Sequence, residues 1–271
     1  LGPGFPLKYA SNMLLAKVYM TLATNPELGD GSKSEAEYWQ LAYDEAIKVK
    51  NSGSYSLHPN YSELFSQAGE NSNESIFEYQ LSEAASNSQL GRNYTPWKWK
   101  AGMHFGWFSV NASVYDRHVA NYPTDPRLNG TYLHYYTRAD NGAEVKVYPS
   151  TGRNNFRASH PYLFKFAEKD KSHTAQYNSQ NYIVYRYADL LLMLAEISNE
   201  LSKGAEAIGY VEQVLDRVGL TPHISYQGGQ DSFRDAIMRE YRFELLGEGE
   251  DSHNNRRRGY SYFLNNIILP H

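Results

Sequence analysis

Apolar residues recur at helical spacing near the two ends of the chain and lose that rhythm in between. The first periodic stretch runs from Leu7 to Leu22 through Ala10, Leu14, Ala16, Val18 and Tyr19, a pattern that predicts an amphipathic helix. Thr24 to Ser34 (TNPELGDGSKS) breaks it with Asn, Pro, Gly and Asp. Ser34 stands three residues before Glu37, the spacing of a capping box, so a second helix is expected from there to Lys50. Gly53 is placed to end it in a left-handed cap. Near the other end, Ala188 to Leu201 is strongly apolar, Ser202-Lys-Gly204 turns the chain, and Ala205 to Val218 returns it to a cap at Gly219. A further helix is expected from about Ser232 to Leu246, with Phe233, Ile237, Tyr241 and Leu245 four residues apart.

The middle, residues 53–185, is rich in Gly, Asn, Pro and Tyr and only weakly periodic. Ser75 to Leu81 alternates like a short strand, and Ser113 to Ala120 reads as a short helix. A structureless loop of this length is foreign to a compact domain. Ordered loops carried on a helical scaffold fit better, and such loops are where binding concentrates. The small and aromatic positions of the first helical pair resemble a tetratricopeptide repeat, with Ala16 and Tyr19 expected to face Tyr43 and Ala46. The expected fold class is therefore all-α, a tetratricopeptide-like scaffold of helical pairs with a long loop-rich region. It reads as one domain over residues 1–271, divided into 1–52, 53–185 and 186–271.

Composition narrows the function. The 271 residues carry 26 Lys and Arg against 30 Asp and Glu, a formal charge of −4, which argues against nucleic acid as a partner. With no cysteine there is no disulfide, thiol nucleophile or Cys-zinc site. The run Leu190 to Ala195 is far short of the roughly 20 residues of a membrane span. His134, His160 and His173 lack metal-ligand spacing, Asp140-Asn-Gly142 reads as a turn rather than a calcium loop, and no nucleotide or nucleophile-elbow motif is present. Neither metal nor cofactor is expected.

Three of the four tryptophans fall in Tyr94 to Phe108 (YTPWKWKAGMHFGWF). Pro96, Gly102 and Gly106 make an amphipathic helix there improbable. In an extended segment Trp97 and Trp99 would share one side. Sugar rings stack their C–H faces on aromatic rings while their hydroxyls need polar partners. The candidate ligand contacts are Trp97, Trp99, Trp107, Tyr94 and Phe105, with Arg92, Asn93, Lys98 and His104 as polar neighbours; the alternative is that the rings plug a core. Tyr132 to Tyr136 with Arg138 forms a second aromatic-polar patch.

Several strings resemble the SusD/RagB family. They are Arg186-Tyr-Ala-Asp-Leu-Leu-Leu-Met-Leu-Ala-Glu196, Glu240-Tyr-Arg-Phe-Glu-Leu-Leu-Gly-Glu-Gly249 and Arg256-Arg-Arg-Gly259, preceded by Leu15–Met20, Gly53–Leu57, Tyr61–Phe65, Asn73–Glu78 and Asp125–Leu128. They stand in the family's order from about residue 7 to 268. The resemblance implies a non-catalytic, surface-exposed lipoprotein of the Bacteroidetes outer membrane. Such a protein captures glycans, or in some members peptides, for a SusC-type TonB-dependent transporter. Members are usually near twice this length and begin with a lipidated cysteine, so an amino-terminal part with its lipid anchor and a carboxy-terminal tail are expected outside this chain. The carboxylates among Asp189, Glu196, Glu240, Glu244 and Glu248 could form an acid/base pair; the alternative is that they pair with Arg186, Arg239 and Arg242 to lock helices, and the resemblance, which implies a structural use of these residues, favours it. Glu250–Asn255 departs from the family pattern, with an acid at Asp251 where the opposite charge is usual. Arg256–Arg258 reads as a solvated basic face or as charge at a helix end. A helical-repeat scaffold binding only protein, and a helical glycoside hydrolase, are the competing functional classes.

Overall fold

The computed structural model describes residues 4–149 and 160–269, and it is predominantly helical. In chain order the helices are α1 (Lys8–Thr24), α2 (Glu35–Asn51), α3 (Tyr61–Leu64), α4 (Leu90–Tyr94), α5 (Ala112–Asn121), α6 (Arg127–Thr131), α7 (Tyr187–Glu200), α8 (Gly204–Asp216), α9 (Gln230–Leu245), α10 (Glu250–Arg257) and α11 (Tyr260–Phe263). The strands are β1 (Ser75–Tyr79), β2 (Tyr132–Leu133), β3 (Tyr135–Thr137), β4 (Glu144–Lys146), β5 (Tyr162–Leu163) and β6 (Tyr182–Arg186). Contacts divide the chain into two compact units: Leu1–Pro59 with Asn71–Glu78 and Ile183–His271, and Asn60–Glu70 with Tyr79–Tyr182.

The first unit is the helical scaffold. Helix α2 begins at the expected capping box: Glu37 N donates to Ser34 Oγ (3.3 Å), and Ser34 N donates to the Glu37 carboxylate (2.8 Å). The pair α1–α2 closes over buried Ala10, Ala16, Ala42 and Ala46, small residues that let the two backbones approach. The ring pairing differs from the expected one. Tyr19 stacks on Tyr38 (centroids 6.4 Å apart), while the Tyr43 hydroxyl donates to Glu206 of α8 (2.6 Å). Tyr43 lies one full helical turn plus a residue beyond Tyr38, which turns it from the α1 seam towards the next pair.

Helix α7 packs against α2, α8 and α9 and is buried continuously from Ala188 to Asn199. Burial on every face obliges its charges to be paired. Asp189 receives Lys17 of α1 (2.8 Å), and Glu196 receives Arg257 of α10 (Nη1 to Oε1, 2.7 Å). Just before the helix, Arg186 binds Glu74 (2.8 Å), Glu244 (2.6 Å) and Glu248 (2.6 Å), and Arg217 also reaches Glu244 (2.6 Å). The carboxylates thus lock helices, as the pairing alternative expects. The partners of Asp189, Glu196, Glu244 and Glu248 are Lys17, Arg186, Arg217 and Arg257, while Arg239 Nη2 donates to Ser225 Oγ (2.9 Å). Arg242 pairs instead with Asp251 (2.9 Å), so the acid in the divergent 250–255 segment has a basic partner. The basic run supplies the charge at the end of α10, with Arg256 and Arg257 in its last turn, and Arg257 is buried because Glu196 draws it into the core. Glu74, immediately before β1, accepts from the backbone N–H of Tyr187, immediately after β6 (2.9 Å). The two strands form a sheet and therefore run antiparallel, bringing Glu78 and Ile183 together.

The second unit holds most of the loop-rich middle, with short helices and two two-stranded sheets, β2 with β5 and β3 with β4, both antiparallel. Asp140-Asn-Gly142 makes the β3–β4 turn, with Gly142 at φ +70°. The Asp125–Leu128 string sits at a buried charge centre. Arg127 Nη2 and His118 Nε2 both reach Asp125 Oδ2 (2.7 and 2.8 Å), and His118 Nδ1 meets the Tyr132 hydroxyl (3.1 Å). Burial opposes ionisation of Asp125, but His118 and Arg127 outweigh it and hold the carboxyl down at about 2.

Candidate functional site

The segment from α4 to residue 108 is held by the frayed end of a short helix. Two last-turn carbonyls of α4 have no partner inside the helix; Arg92 O accepts from Phe105 N (3.1 Å) and Asn93 O from Trp107 N (3.0 Å). Alternate residues are thereby fixed, and the Phe105 and Trp107 rings lie parallel, 4.6 Å apart and 12° from coplanar. Between them Gly106 has φ +53°, and a Cβ there would come within 3.0 Å of both the Pro96 backbone and the Tyr162 ring. Only glycine fits. The same close approach keeps the Cα atoms of Trp97 and Trp107 within about 12 Å of each other, a span that a short oligosaccharide covers.

The guanidinium of Arg92 lies 4.5 Å from the Phe105 centroid. A ring has two faces, and Trp107 already covers one, so Arg92, Phe105 and Trp107 form a three-layer stack. The remaining broad face is that of Trp107, which is 57% exposed. Trp97 is similarly exposed, at 55%. Arg138 and Lys98 lie 4.7 and 5.4 Å from its centroid, and both cations share Asp140 (2.6 and 3.6 Å). Its backbone is tied in place by the Tyr136 hydroxyl, which donates to Trp97 O (2.9 Å).

Trp97 and Trp99 do not share a side. Residues 96–99 turn, with Trp99 N donating to Pro96 O (3.1 Å) and Lys98 at φ +63°. The turn sends Trp99, 9% exposed, into a core with Tyr136, Val147, Phe164 and Ala167. Extended alternation fails here because Pro96 starts a turn and Lys98 adopts the left-handed conformation that completes it. Tyr94 is half-buried, stacked on Phe108 (4.3 Å) and edge-on to Phe166 (5.4 Å). His104 is buried with Nε2 2.9 Å from Ala101 O. Burial first, and then Lys100 and Arg92 beside it, hold His104 below its ordinary value. Arg92 Nε, Asn93 Oδ1 and His104 Nδ1 are buried with no hydrogen-bond partner among the described residues. In the second patch Tyr132 and Tyr136 point inward and Tyr135 outward.

The structure thus brings Arg92, Phe105 and Trp107 into one stack, leaves Trp97 exposed beside Arg138 and Lys98, and turns Trp99 and His104 inside. Sequence spacing missed Lys171, which lies 4.5 Å from the Trp99 centroid, and Asp140 as the acid that fixes Arg138 and Lys98. Some forty residues separate Trp97 from Asp140, and no local pattern signals the meeting. Among the described residues no group of three or more His, Asp or Glu side chains is arranged to hold a metal.

A family model, that of the SusD family, matches residues 38–261. The chain belongs to the SusD family. SusD-like protein P25 of Formosa agariphila is 38% identical over 96 residues, covering 34% of this chain and 18% of that protein. SusD-like protein P38 of the same bacterium is 40% identical over 76 residues, 26% of this chain and 15% of that protein. Among solved structures, surface glycan-binding protein A from Bacteroides thetaiotaomicron in complex with laminarihexaose superposes with a TM-score of 0.68 at 22% identity, over 96% of this chain and 57% of that one. A SusD superfamily protein from Parabacteroides distasonis gives 0.72 at 23%, over 93% and 52%. The SusD-like fold therefore extends over nearly all of this chain, which spans about half the length of these solved relatives.

Proposed function

We propose that this SusD-family chain captures glycans at the cell surface without chemical turnover and delivers them to a SusC-type TonB-dependent transporter of the outer membrane. In this reading a lipid anchor outside this chain holds the protein at the membrane; among the described residues no helix is long and apolar enough to cross one. The observation that carries the proposal is the exposed Trp107 face at the end of a rigid stack. A ring already pinned by Phe105 and by two backbone hydrogen bonds loses little freedom when a sugar settles on it. Trp97 offers a second ring within oligosaccharide reach. The laminarihexaose complex of surface glycan-binding protein A supports glycan as the ligand class. Two stacking contacts with a few hydrogen bonds, less the ordering cost, correspond to a Kd of about micromolar to millimolar, weak enough to release cargo to a channel.

Calorimetry and tryptophan fluorescence against α-glucans, β-glycans, host-type glycans and short peptides test this. Saturable binding of one glycan class, lost in Trp97→Ala and Trp107→Ala and with the oligosaccharide recovered intact, is the expected result. Binding of peptides alone would replace the glycan with a peptide cargo, and cleavage of the oligosaccharide would overturn the non-catalytic reading.

A further inference from the structure

The charge of the chain is not shared evenly. The second unit carries twelve Lys and Arg against nine Asp and Glu, whereas the rest of the chain carries fourteen against twenty-one. An overall charge of −4 therefore conceals a unit at +3 beside a remainder at −7. Four of the unit's twelve cations lie against rings of the Tyr94–Phe108 segment. Arg92 lies on Phe105, Arg138 and Lys98 on Trp97, and Lys171 on Trp99.

These cations are unequally compensated. Asp140 is the one carboxylate within ion-pair distance of Arg138 and Lys98 among the described residues, so two positive charges share a single negative one. Arg92 and Lys171 have no carboxylate within that distance among the described residues. A neutral sugar presents hydroxyls that donate as well as accept, and a site for it needs acceptors. Arg and Lys side chains donate only, and a guanidinium fork matches the paired oxygens of a carboxylate or sulfate. Arg92 is also held in place, its guanidinium carbon 4.5 Å from the Phe105 centroid and its Nη2 donating to Met103 Sδ (2.6 Å), so less rotamer freedom remains to be lost on binding.

We infer that the ligand of this unit is an anionic glycan bearing carboxylate or sulfate groups, and that Arg92, beside the Phe105–Trp107 stack, is a residue that selects for the charge. The inference rests on the capture reading and names its substrate class. Arg92 lies two layers below the open Trp107 face, about 9 Å by the stacking distances, so it would meet the acidic group of a sugar further along the chain that passes the edge of the stack, while Arg138 and Lys98 flank a sugar on Trp97.

The test is isothermal calorimetry of the full chain with paired probes. Oligogalacturonates are compared with their carboxyl-reduced forms, and sulfated galactan oligosaccharides with their desulfated forms. The acidic member of at least one pair should bind roughly tenfold or more tightly than its neutral counterpart, the worth of one charge-assisted hydrogen bond. That advantage should shrink several-fold between about 50 mM and about 500 mM salt. Arg92→Gln should abolish most of the preference, and Arg92→Lys, which keeps charge but loses the planar fork, should retain part of it. Circular dichroism and the melting temperature confirm that both variants fold. Equal, salt-insensitive binding of acidic and neutral partners would overturn the inference and leave glycan capture standing. A full acidic preference in folded Arg92→Gln would overturn the role of Arg92. Binding of no oligosaccharide by the folded chain would overturn both the inference and the capture reading.

Discussion

Trp99 and Trp107 are the same residue type in the same loop, yet they should respond oppositely to truncation. Trp99 is 9% exposed and packed against Phe164, with ring centroids 5.2 Å apart. Replacing it with Ala removes a buried indole and leaves a cavity that the surrounding β3–β4 hairpin fills only in part. Such changes cost about 3–5 kcal/mol. At about 2–4 °C per kcal/mol for a chain of this size, melting should fall by roughly 6–20 °C. Trp107 is 57% exposed, and its main loss is one stacked pair, about 0.5–1.5 kcal/mol, or roughly 1–6 °C. Glycan affinity should invert the ranking. Trp107→Ala abolishes saturable binding while remaining folded, and Trp99→Ala binds normally at temperatures where it is still native. Thermal melts followed by far-ultraviolet circular dichroism, paired with calorimetry, measure both quantities on the same samples. Equal melting losses in the two variants, or intact binding by Trp107→Ala, would refute the division between core ring and platform ring.

Arg186→Ala should destabilise the scaffold by about 3–5 kcal/mol, because Glu74, Glu244 and Glu248 then remain buried with less compensation; the urea midpoint reads it. Ser34→Ala removes the capping box of α2 and should cost about 1 kcal/mol, visible as a lower midpoint without loss of glycan binding. Gly106→Ala should cost roughly 1–3 kcal/mol through its left-handed backbone alone, and it should lower the near-ultraviolet signal of the Phe105–Trp107 stack. Asp125, held at about 2, contributes stability that is fully present above its ordinary carboxylate range. That contribution, about 2 kcal/mol, should be lost as pH falls from about 4 through 2. Asp125→Asn should flatten that stretch of the urea-midpoint profile, and an unchanged profile would show that the His118–Asp125–Arg127 cluster does not set it.

Where helix boundaries rest on local chemistry, they were legible in the sequence. The Ser34–Glu37 box starts α2, Gly219 at φ +71° ends the α8 turn, and the apolar run around Leu190 becomes the buried α7. Ser75–Leu81 and Ser113–Ala120 appear as β1 and α5 with boundaries moved by a residue or two. What spacing could not supply was partnership across long separations. Asp189 finds Lys17 from 172 residues away, and Glu74 reaches Arg186 across 112. The tryptophan segment was legible as a cluster but not as a geometry. Two residues apart, Trp97 and Trp99 read as a pair only if the chain is extended, and the Pro96 turn sends one out and the other in. Tyr43 fails similarly, because helical periodicity places it on a face without saying which neighbour covers that face.

The antiparallel pairing of β1 with β6 has a consequence for how this architecture can vary. Residues 79–182 depart from and return to the scaffold at adjoining points, as a long insertion whose ends are already joined by backbone hydrogen bonds. Closure entropy rises only with the logarithm of loop length, about 0.6 kcal/mol for each doubling. An insertion clamped at its neck can therefore be lengthened, shortened or resurfaced at small energetic cost to the helices that carry it. Buried ion pairs such as Arg186 with Glu74 hold that neck from the scaffold side and tolerate little change themselves. Variation is channelled accordingly: the Arg92–Trp107 stack and the cations around Trp97 are free to be redrawn, while the buried charge lock of Arg186, Glu74, Glu244 and Glu248 stays fixed. A single scaffold of this kind can carry many different insertions.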